Sequence, residues 1–239
     1  MNKLKIIQYD ICDSTNTRAK EYIKNEKTDR ALFIANEQSA GRGRQGKSFY
    51  SPKDTGIYMT YVFACDMPRT SIVSVTTSAA CAVCRALERV SQKKLSIKWV
   101  NDIYLGDKKI CGILTECVTN RVTNGTLYVI IGIGVNLTTE LFPDDISEIA
   151  ASLGDFDKQT IIENIVSELE KIADNPTFKD MDYYKSHSMV IGRQITCITN
   201  GETKNAMALD IDNDGGLVVK FENGDVKTLT SGEISIRII

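Results

Sequence analysis

Residues 127–137 read LYVIIGIGVNL and form the longest apolar run in the chain. The run lacks alternating polar positions, which predicts a β-strand covered on both faces. It is too short and too rich in glycine to span a bilayer. Gly132 and Gly134 stand two positions apart, so both face the same side of the strand and leave a smooth trough. A helix packed on the strand would explain that trough as well as a ligand would.

Strand and helix patterns flank this run on both sides. The predicted strands are KIIQYD (5–10), ALFIANEQ (31–38), GIYMTYVFAC (56–65), LSIKWV (95–100), DIYL (102–105) and KKICGILTECVT (108–119), with turns at 106–107 and 123–126. The predicted helices span 14–24, 71–91, 147–153 (SEIAASL), 158–174 and 178–188. These elements predict an α+β fold with a mixed β-sheet and helices.

The sequence pattern changes after about residue 189. Short strand patterns are separated there by the turn sequences TNGET (199–203), DNDGG (212–216) and ENGD (222–225). That spacing predicts a small β-barrel of about five strands. We therefore expect a first domain over 1–188 and a second over 189–239. A barrel with its own small core predicts that truncation near Met189 leaves the first domain folded.

Composition narrows the class of protein. The 239 residues carry a formal net charge of −2, so no basic surplus indicates nonspecific binding to nucleic acid or to an anionic membrane. The N-terminal stretch lacks the apolar segment of a signal peptide. Seven cysteines, an odd number, do not resemble a disulfide framework. Cys81 and Cys84 lie within a helical pattern, and no second pair completes a zinc site, since His187 is the lone histidine. We expect buried helix residues there and a soluble, cytoplasmic protein.

Residues 37–49, EQSAGRGRQGKSF, contain the pattern G-x-G-x-x-G at 41–46. A dinucleotide-binding turn requires a helix that opens directly from the glycines, but Pro52 and Gly56 leave no room for one. A kinase is excluded because Asp-Phe-Gly is absent from the chain. A flexible surface loop is the plain alternative. Arg42 and Arg44, which present forked donors beside a pliable backbone, favour an anionic ligand.

Other polar groups stand beside the apolar strands. Ser14-Thr15-Asn16 is typical of a helix cap, and a cap also directs amides and hydroxyls at one spot. Lys98, Asn101 and Asp102 end one strand, and Lys108 and Lys109 follow the 106–107 turn. Solvated lysines and ordinary turn residues would explain these positions. Gly112 lies inside a strong strand, where a glycine often marks the close approach of a ligand or of another backbone segment. Asn136 ends the strand 127–136 and is either a structural residue or a hydrogen-bond donor to phosphate.

Five motifs, in this order, resemble the biotin–protein ligases: STN (14–16), EQSAGRGRQGKSF (37–49), KWVNDI (98–103), KKICGILTE (108–116) and IGIGVNL (131–137). GDVKTLTSGEISIRII (224–239) resembles the end of that family's C-terminal domain. The resemblance implies an α+β catalytic domain, an SH3-like C-terminal barrel and, since the catalytic motifs begin so early, the monofunctional type without a DNA-binding domain. Val100 and Phe49 depart from the family's usual Pro and Trp. Loss of Pro is expected to soften the following turn.

The resemblance also implies a reaction. Biotin and MgATP give biotinyl-5′-adenylate, and a lysine of a biotin carboxyl carrier domain then attacks it. The implied biotin contacts are Ser14, Thr15, Asn16, Gln38, Gly41, Arg42, Gly43, Arg44, Lys109 and Gly112. The implied ATP contacts are Arg44, Lys47, Lys98, Asn101, Asp102 and Asn136, with Asp102 as the ligand of Mg²⁺. Arg44 and Lys109 would be catalytic, because fixed positive charge stabilises the reacting carboxylate and phosphate.

Two other functions remain open at this point. A lipoate–protein ligase or octanoyltransferase shares the fold, but its Arg-Arg-x-x-Gly-Gly-Gly type of motif is absent. A noncatalytic binding module would have no need of Arg44, Lys109, Asn101 and Asp102 together. The implied partner is a biotin carboxyl carrier protein or the biotin domain of a carboxylase, with neither DNA nor membrane. The choice of acceptor and a homodimer are left open.

Overall fold

The computed structural model describes residues 4–26, 28–65, 72–119, 126–177, 179–199, 202–230 and 235–238. Seven strands form one sheet in the order β1-β2-β3-β7-β6-β5-β4. They are β1 Lys5–Cys12, β2 Arg30–Gln38, β3 Gly56–Cys65, β4 Ser96–Lys98, β5 Asp102–Leu105, β6 Lys108–Thr119 and β7 Leu127–Asn136. The pair β1–β2 is parallel and the other pairs are antiparallel, which confirms the mixed sheet.

Within the described residues, four α-helices cover the two faces of this sheet: α1 Thr15–Asn25, α2 Ile72–Ser91, α3 Lys158–Asp174 and α4 Met181–His187. Helices α2 and α3 belong to the large apolar cluster on one face, which includes Ile131 and Ile133. On the other face, Ala19 and Ile23 of α1 pack with Phe33 and Ile130. Strand β7 is central and covered on both sides, as its unbroken apolar sequence predicted.

One predicted helix is wrong. SEIAASL (147–153) forms turns and a bridge instead, because its backbone pairs with the start of β6. The Lys109 N–H donates to the Ile149 carbonyl at 2.8 Å, and the Ala151 N–H donates to the Lys109 carbonyl at 2.9 Å. The strand predicted over 95–100 is also shorter than expected, since β4 ends at Lys98. Most of the turn predicted at 123–126 lies outside the described residues.

The C-terminal part is a five-stranded antiparallel sheet in the order β11-β10-β9-β8-β12. Its strands are β8 Gln194–Thr199, β9 Glu202–Ile211, β10 Leu217–Phe221, β11 Val226–Leu229 and β12 Ser235–Ile238. The number of strands is as predicted, and the boundary at 188/189 stays a prediction. A separate core was the wrong expectation, because Ile195, Ile211 and Leu217 belong to the same buried cluster as α2 and the large sheet.

Two further sequence expectations concern membranes and thiols. Within the described parts of the chain, no helix is long and apolar enough to cross a bilayer. All seven cysteines are free, and six of them are buried. Burial raises the pKa of the Cys84 thiol to about 12, so this thiol stays protonated at neutral pH. Cys81 and Cys84 are therefore helix-packing residues, as expected.

Candidate active site

A cavity of about 770 Å³ lies where loop 41–49 crosses strands β5, β6 and β7. Fourteen of the fifteen predicted site residues line it: Ser14, Thr15, Asn16, Gln38, Arg42, Gly43, Arg44, Lys47, Lys98, Asn101, Asp102, Lys109, Gly112 and Asn136. Gly41 is outside the lining and buried. A Cβ at Gly41 would lie 2.3 Å from the Phe49 carbonyl oxygen, so glycine there lets the loop fold back on itself.

Loop 41–49 is a small closed hairpin. Arg42 pairs with Ser48 in an antiparallel bridge, and the Gly43 N–H donates to the Lys47 carbonyl at 2.7 Å. A single 3₁₀ turn spans Arg44–Gly46. No α-helix opens from these glycines, which confirms that the motif is not a dinucleotide-binding turn.

Arg44 reaches inward from this hairpin to the turn before β5. Its Nη1 donates to Asn101 Oδ1 at 3.1 Å, while its Nη2 is buried and has no hydrogen-bond partner among the described residues. Burial lowers the pKa of the Arg44 guanidinium, and nearby Asp102 partly opposes this shift. A buried guanidinium donor without a partner is costly, and an anion in the cavity would satisfy it.

Lys109 is the second residue of β6 and its side chain lines the cavity. Its Nζ lies 2.7 Å from Asp102 Oδ1 on the neighbouring strand β5. Lys108 is exposed and its Nζ lies 3.5 Å from the Ser147 carbonyl, so alternation along the strand separates the two lysines as expected. A Cβ at Gly112 would lie 3.1 Å from Lys109 Nζ, so this glycine makes room for the lysine.

Asn101 and Asn136 have structural partners as well as places in the cavity wall. Asn101 Nδ2 donates to the Ile113 carbonyl at 2.6 Å, which ties the turn to β6. Asn136 Nδ2 donates to the Ala151 carbonyl at 3.2 Å and so holds the segment that follows β7. The structural alternative for Asn136 is therefore supported, and its role toward ATP stays a prediction. Lys98 is half-buried, with its Nζ 5.6 Å from the centroid of the Tyr104 ring.

The residues at the start of α1 hold one another in place. Ser14 occupies the N-cap position, but its side chain makes no capping hydrogen bond, so the predicted cap is only positional. The Thr15 N–H instead donates to Gln38 Oε1 at 2.9 Å, and Gln38 Nε2 donates to Ser51 Oγ at 2.9 Å. The cavity thus has a buried polar wall built by α1 and β2.

Glu116, which sequence reasoning did not single out, does not line the cavity but holds a residue of its wall. Its Oε2 accepts a hydrogen bond from Asn16 Nδ2 at 3.0 Å, and its Oε1 pairs with Lys20 at 2.6 Å. Burial raises the pKa of Glu116, but the hydrogen bonds from Lys20 and Asn16 outweigh burial and leave the pKa below its ordinary value. The signal was present in the period of β6, since Glu116 shares a face with Gly112.

The space beside the glycines of β7 is occupied by side chains of the protein. A Cβ at Gly132 would lie 2.1 Å from Asn16 Oδ1, and one at Gly134 would lie 2.4 Å from Phe49 Cε1. Both glycines face the same side of β7, as their spacing predicted, and this is the side on which α1 begins. The trough is therefore shared between the start of α1 and the aromatic ring of the loop.

Charge in the cavity wall is strongly one-sided. The lining includes six basic residues, Arg42, Arg44, Lys47, Lys98, Lys109 and Arg193, and two acidic residues, Asp102 and Asp107. Such a wall attracts anions and stabilises negative charge that develops within it. An anionic or phosphorylated substrate fits this site.

Comparison with known proteins agrees with this geometry. Residues 9–136 match the Biotin/lipoate A/B protein ligase family, and residues 190–237 match the Biotin protein ligase C terminal domain. The chain is 31% identical to the Bifunctional ligase/repressor BirA of Bacillus spizizenii, over 97% of this chain and 74% of that relative. The chain belongs to the biotin/lipoate A/B protein ligase family. It is an enzyme of the biotin–protein ligase type.

Two further relatives bear on this ligase. It is 26% identical to the biotin--[acetyl-CoA-carboxylase] ligase of Mycobacterium tuberculosis, over 86% of this chain and 79% of the relative. Its fold is similar to that of a biotin protein ligase from Aquifex aeolicus in complex with biotin and ATP, with a TM-score of 0.79 and 23% identity. That match covers 98% of this chain and 99% of the other, so the whole fold is common to the two proteins.

The rim of the ligase's cavity comes from segments that sequence reasoning did not assign to the site. Phe142, Ile146 and Ile149 line one side, and the Phe142 and Tyr50 rings lie 6.4 Å apart. Met189, Arg193 and Ile238 bring the C-terminal part to the other side. Leu141, next to Phe142, is 83% exposed; the sequence carried no local signal for this rim.

Cys84, Glu88 and His187 form a group whose ligand atoms lie within 4.8 Å of one another. Glu88 Oε2 lies 3.2 Å from His187 Nε2 and accepts from the Tyr183 hydroxyl at 2.9 Å. Glu88 Oε1 accepts from the Leu95 N–H at 2.9 Å. The Glu88 carboxylate therefore has protein partners for both oxygens, and the group forms a polar network between α2 and α4.

Proposed function

We propose that this ligase activates biotin with ATP as biotinyl-5′-adenylate and transfers the biotinyl group to a lysine of a biotin carboxyl carrier domain. The observation that carries the proposal is the buried Arg44 Nη2, which has no partner among the described residues and points to a bound anion. The names of the relatives support biotin as the acid, and the ligand pair in the Aquifex aeolicus structure supports biotin with ATP.

The first half-reaction joins two anions. A biotin carboxylate oxygen attacks the α-phosphorus of ATP, and the bond from that phosphorus to the bridging oxygen breaks, so pyrophosphate leaves. Electrostatic repulsion opposes this approach, and fixed cations must offset it before orientation can help. Lys109 would hold the biotin carboxylate, and Arg44 would hold the α-phosphate. Asn101 keeps Arg44 in position through its Oδ1.

Asp102 fits a magnesium ion. Mg²⁺ prefers hard oxygen ligands, keeps several waters and needs only one or two carboxylates. The Asp102 side chain is 24% exposed, so it faces the cavity solvent as well as Lys109. When bound, Mg²⁺ would neutralise charge on the phosphates of ATP. Lys47, Lys98 and Asn136 are the further residues that we assign to ATP.

The biotin ring would lie beside the polar wall of Ser14, Thr15, Asn16 and Gln38, under the loop from Gly41 to Arg44. In the second half-reaction the acceptor lysine attacks the carbonyl carbon of the adenylate, an amide forms and AMP leaves. The mixed anhydride is already activated, so no nucleophile of the enzyme is needed. We place the reaction in the cytoplasm, which the seven free cysteines favour.

A transfer experiment tests this proposal. The purified enzyme is incubated with biotin, MgATP and a biotin carboxyl carrier domain, and the acceptor is analysed by intact mass and peptide mapping. We expect one biotinyl group on one lysine, and none on a matched acceptor with that lysine changed to arginine. Lipoyl or octanoyl transfer without biotinyl transfer would overturn the proposal in favour of the related ligases.

A further inference from the structure

The turn between β9 and β10, residues 212–216, reaches the catalytic sheet through Trp99. The Trp99 indole N–H donates to the Gly215 carbonyl at 2.9 Å, and both atoms are buried. Trp99 is 4% exposed and stands two positions before Asn101. Residues 212–216 themselves do not line the cavity. Trp99 does line the cavity, so through this turn the C-terminal sheet contacts a wall residue of the site from outside the cavity, in addition to the direct lining by Arg193 and Ile238.

The 212–216 turn is held by hydrogen bonds within it and by contacts with α2. Asp212 Oδ1 accepts from the N–H groups of Asp214 and Gly216, each at 2.8 Å. Ser74 Oγ of α2 donates to the Asp214 carbonyl at 3.0 Å. Gly215 has φ +86°, and a Cβ there would lie 2.9 Å from Thr77 Cγ2 of α2. The turn thus packs closely against α2, and this packing fixes the position of the Gly215 carbonyl.

The segment from Trp99 to Asp102 is held at several points. Besides the Trp99 contact, the Val100 carbonyl accepts from the Tyr184 hydroxyl of α4 at 3.1 Å. The Asn101 carbonyl accepts from the Ile113 N–H of β6 at 3.0 Å. These contacts oppose the softening expected from the loss of proline at Val100. Two side chains of the segment then hold the cations of the site, since Asn101 contacts Arg44 and Asp102 contacts Lys109.

We infer that the 212–216 turn is a positioning element for adenylation and that Trp99 transmits its position to Asn101 and Asp102. This inference rests on the proposed function. Through this turn the C-terminal part then contributes to the first half-reaction from Gly215, a residue that does not line the cavity. Recognition of the biotin ring should be insensitive to it, because Thr15 bonds to Gln38 and Gln38 bonds to Ser51, and neither hydrogen bond involves the segment from Trp99 to Asp102.

Gly215→Ala tests the inference. The added methyl group would lie 2.9 Å from Thr77 Cγ2, so either the turn or Thr77 must shift. We expect the kcat of biotin-dependent ATP–pyrophosphate exchange to fall about 10- to 100-fold, the scale of a misplaced catalytic group. The KM for biotin should stay within about twofold of the wild-type value. Gly224→Ala is the matched control. It carries the same left-handed strain, with φ +91° in another turn of the same sheet, but a Cβ there meets nothing within 4 Å.

Trp99→Phe is the second variant, because it removes the indole N–H donor and keeps an aromatic ring. It should lower the same kcat, and the double variant with Gly215→Ala should be no slower than Gly215→Ala alone, since both changes break one contact. Normal exchange by the wild-type enzyme, with kcat in Gly215→Ala and Trp99→Phe equal to that in Gly224→Ala, would overturn the positioning role alone. Absence of biotin-dependent exchange in the wild-type enzyme would overturn the proposed function and this inference with it.

Discussion

Replacement of Lys109 by alanine separates the chemistry of the site from its stability. The ion pair with Asp102 is close, 2.7 Å, but its side chains are 31% and 24% exposed. Water screens such a pair, so its loss should cost at most about 1 kcal/mol of unfolding free energy. If Lys109 stabilises the transition state for adenylation, its loss should slow that step about 10²- to 10³-fold, or about 2.7–4 kcal/mol. The effect on rate therefore exceeds the effect on stability.

The assay is initial-rate ATP–pyrophosphate exchange at saturating biotin, beside urea unfolding of the same preparations. Lys108→Ala is the matched control, because its exposed side chain points away from Asp102. We expect the control to exchange within about twofold of the wild-type rate. Equal rates in the two variants, or a loss of activity in Lys109→Ala that follows its loss of stability, would refute the role of Lys109.

Three further predictions concern other parts of the site. Gly132→Ala should raise KM for biotin, because its Cβ would lie 2.1 Å from Asn16 Oδ1; an unchanged KM by titration of the exchange rate would contradict this. The Glu116 carboxylate has a folded-state pKa below its ordinary 4.5, so its stabilising contribution is present above that pH and is lost as the pH falls through the folded-state value. Glu116→Gln should therefore lower the unfolding free energy more at pH 6 than at pH 3, and a constant difference would argue against it. Trypsin should cut the ligand-free enzyme within 42–47, and biotin with MgATP should slow that cut; equal rates with and without ligand would show a preformed loop.

Local patterns were sufficient to predict the centre of the fold. The apolar run 127–137 predicted strand β7. Alternation placed Gly132 and Gly134 on one face of it and separated Lys108 from Lys109 in β6. These signals depend on neighbours two positions apart. The cluster of cations around loop 41–49 followed from residue type, because forked donors beside glycine suit anions.

Contacts between distant segments could not be predicted in the same way. SEIAASL has a helical pattern, but its backbone pairs with Lys109, about 40 positions earlier. The separate C-terminal core was expected from turn spacing, whereas Leu217 packs into the main cluster and Gly215 bonds to Trp99. In each case a tertiary contact outweighs the local preference.

Acid specificity is the most direct test of the central claim. ATP–pyrophosphate exchange by the wild-type enzyme is measured with biotin, lipoate and octanoate as the only acid in parallel reactions. The proposed function predicts exchange with biotin, and none above the acid-free background with lipoate or octanoate. Exchange driven by lipoate or octanoate but not by biotin would contradict it.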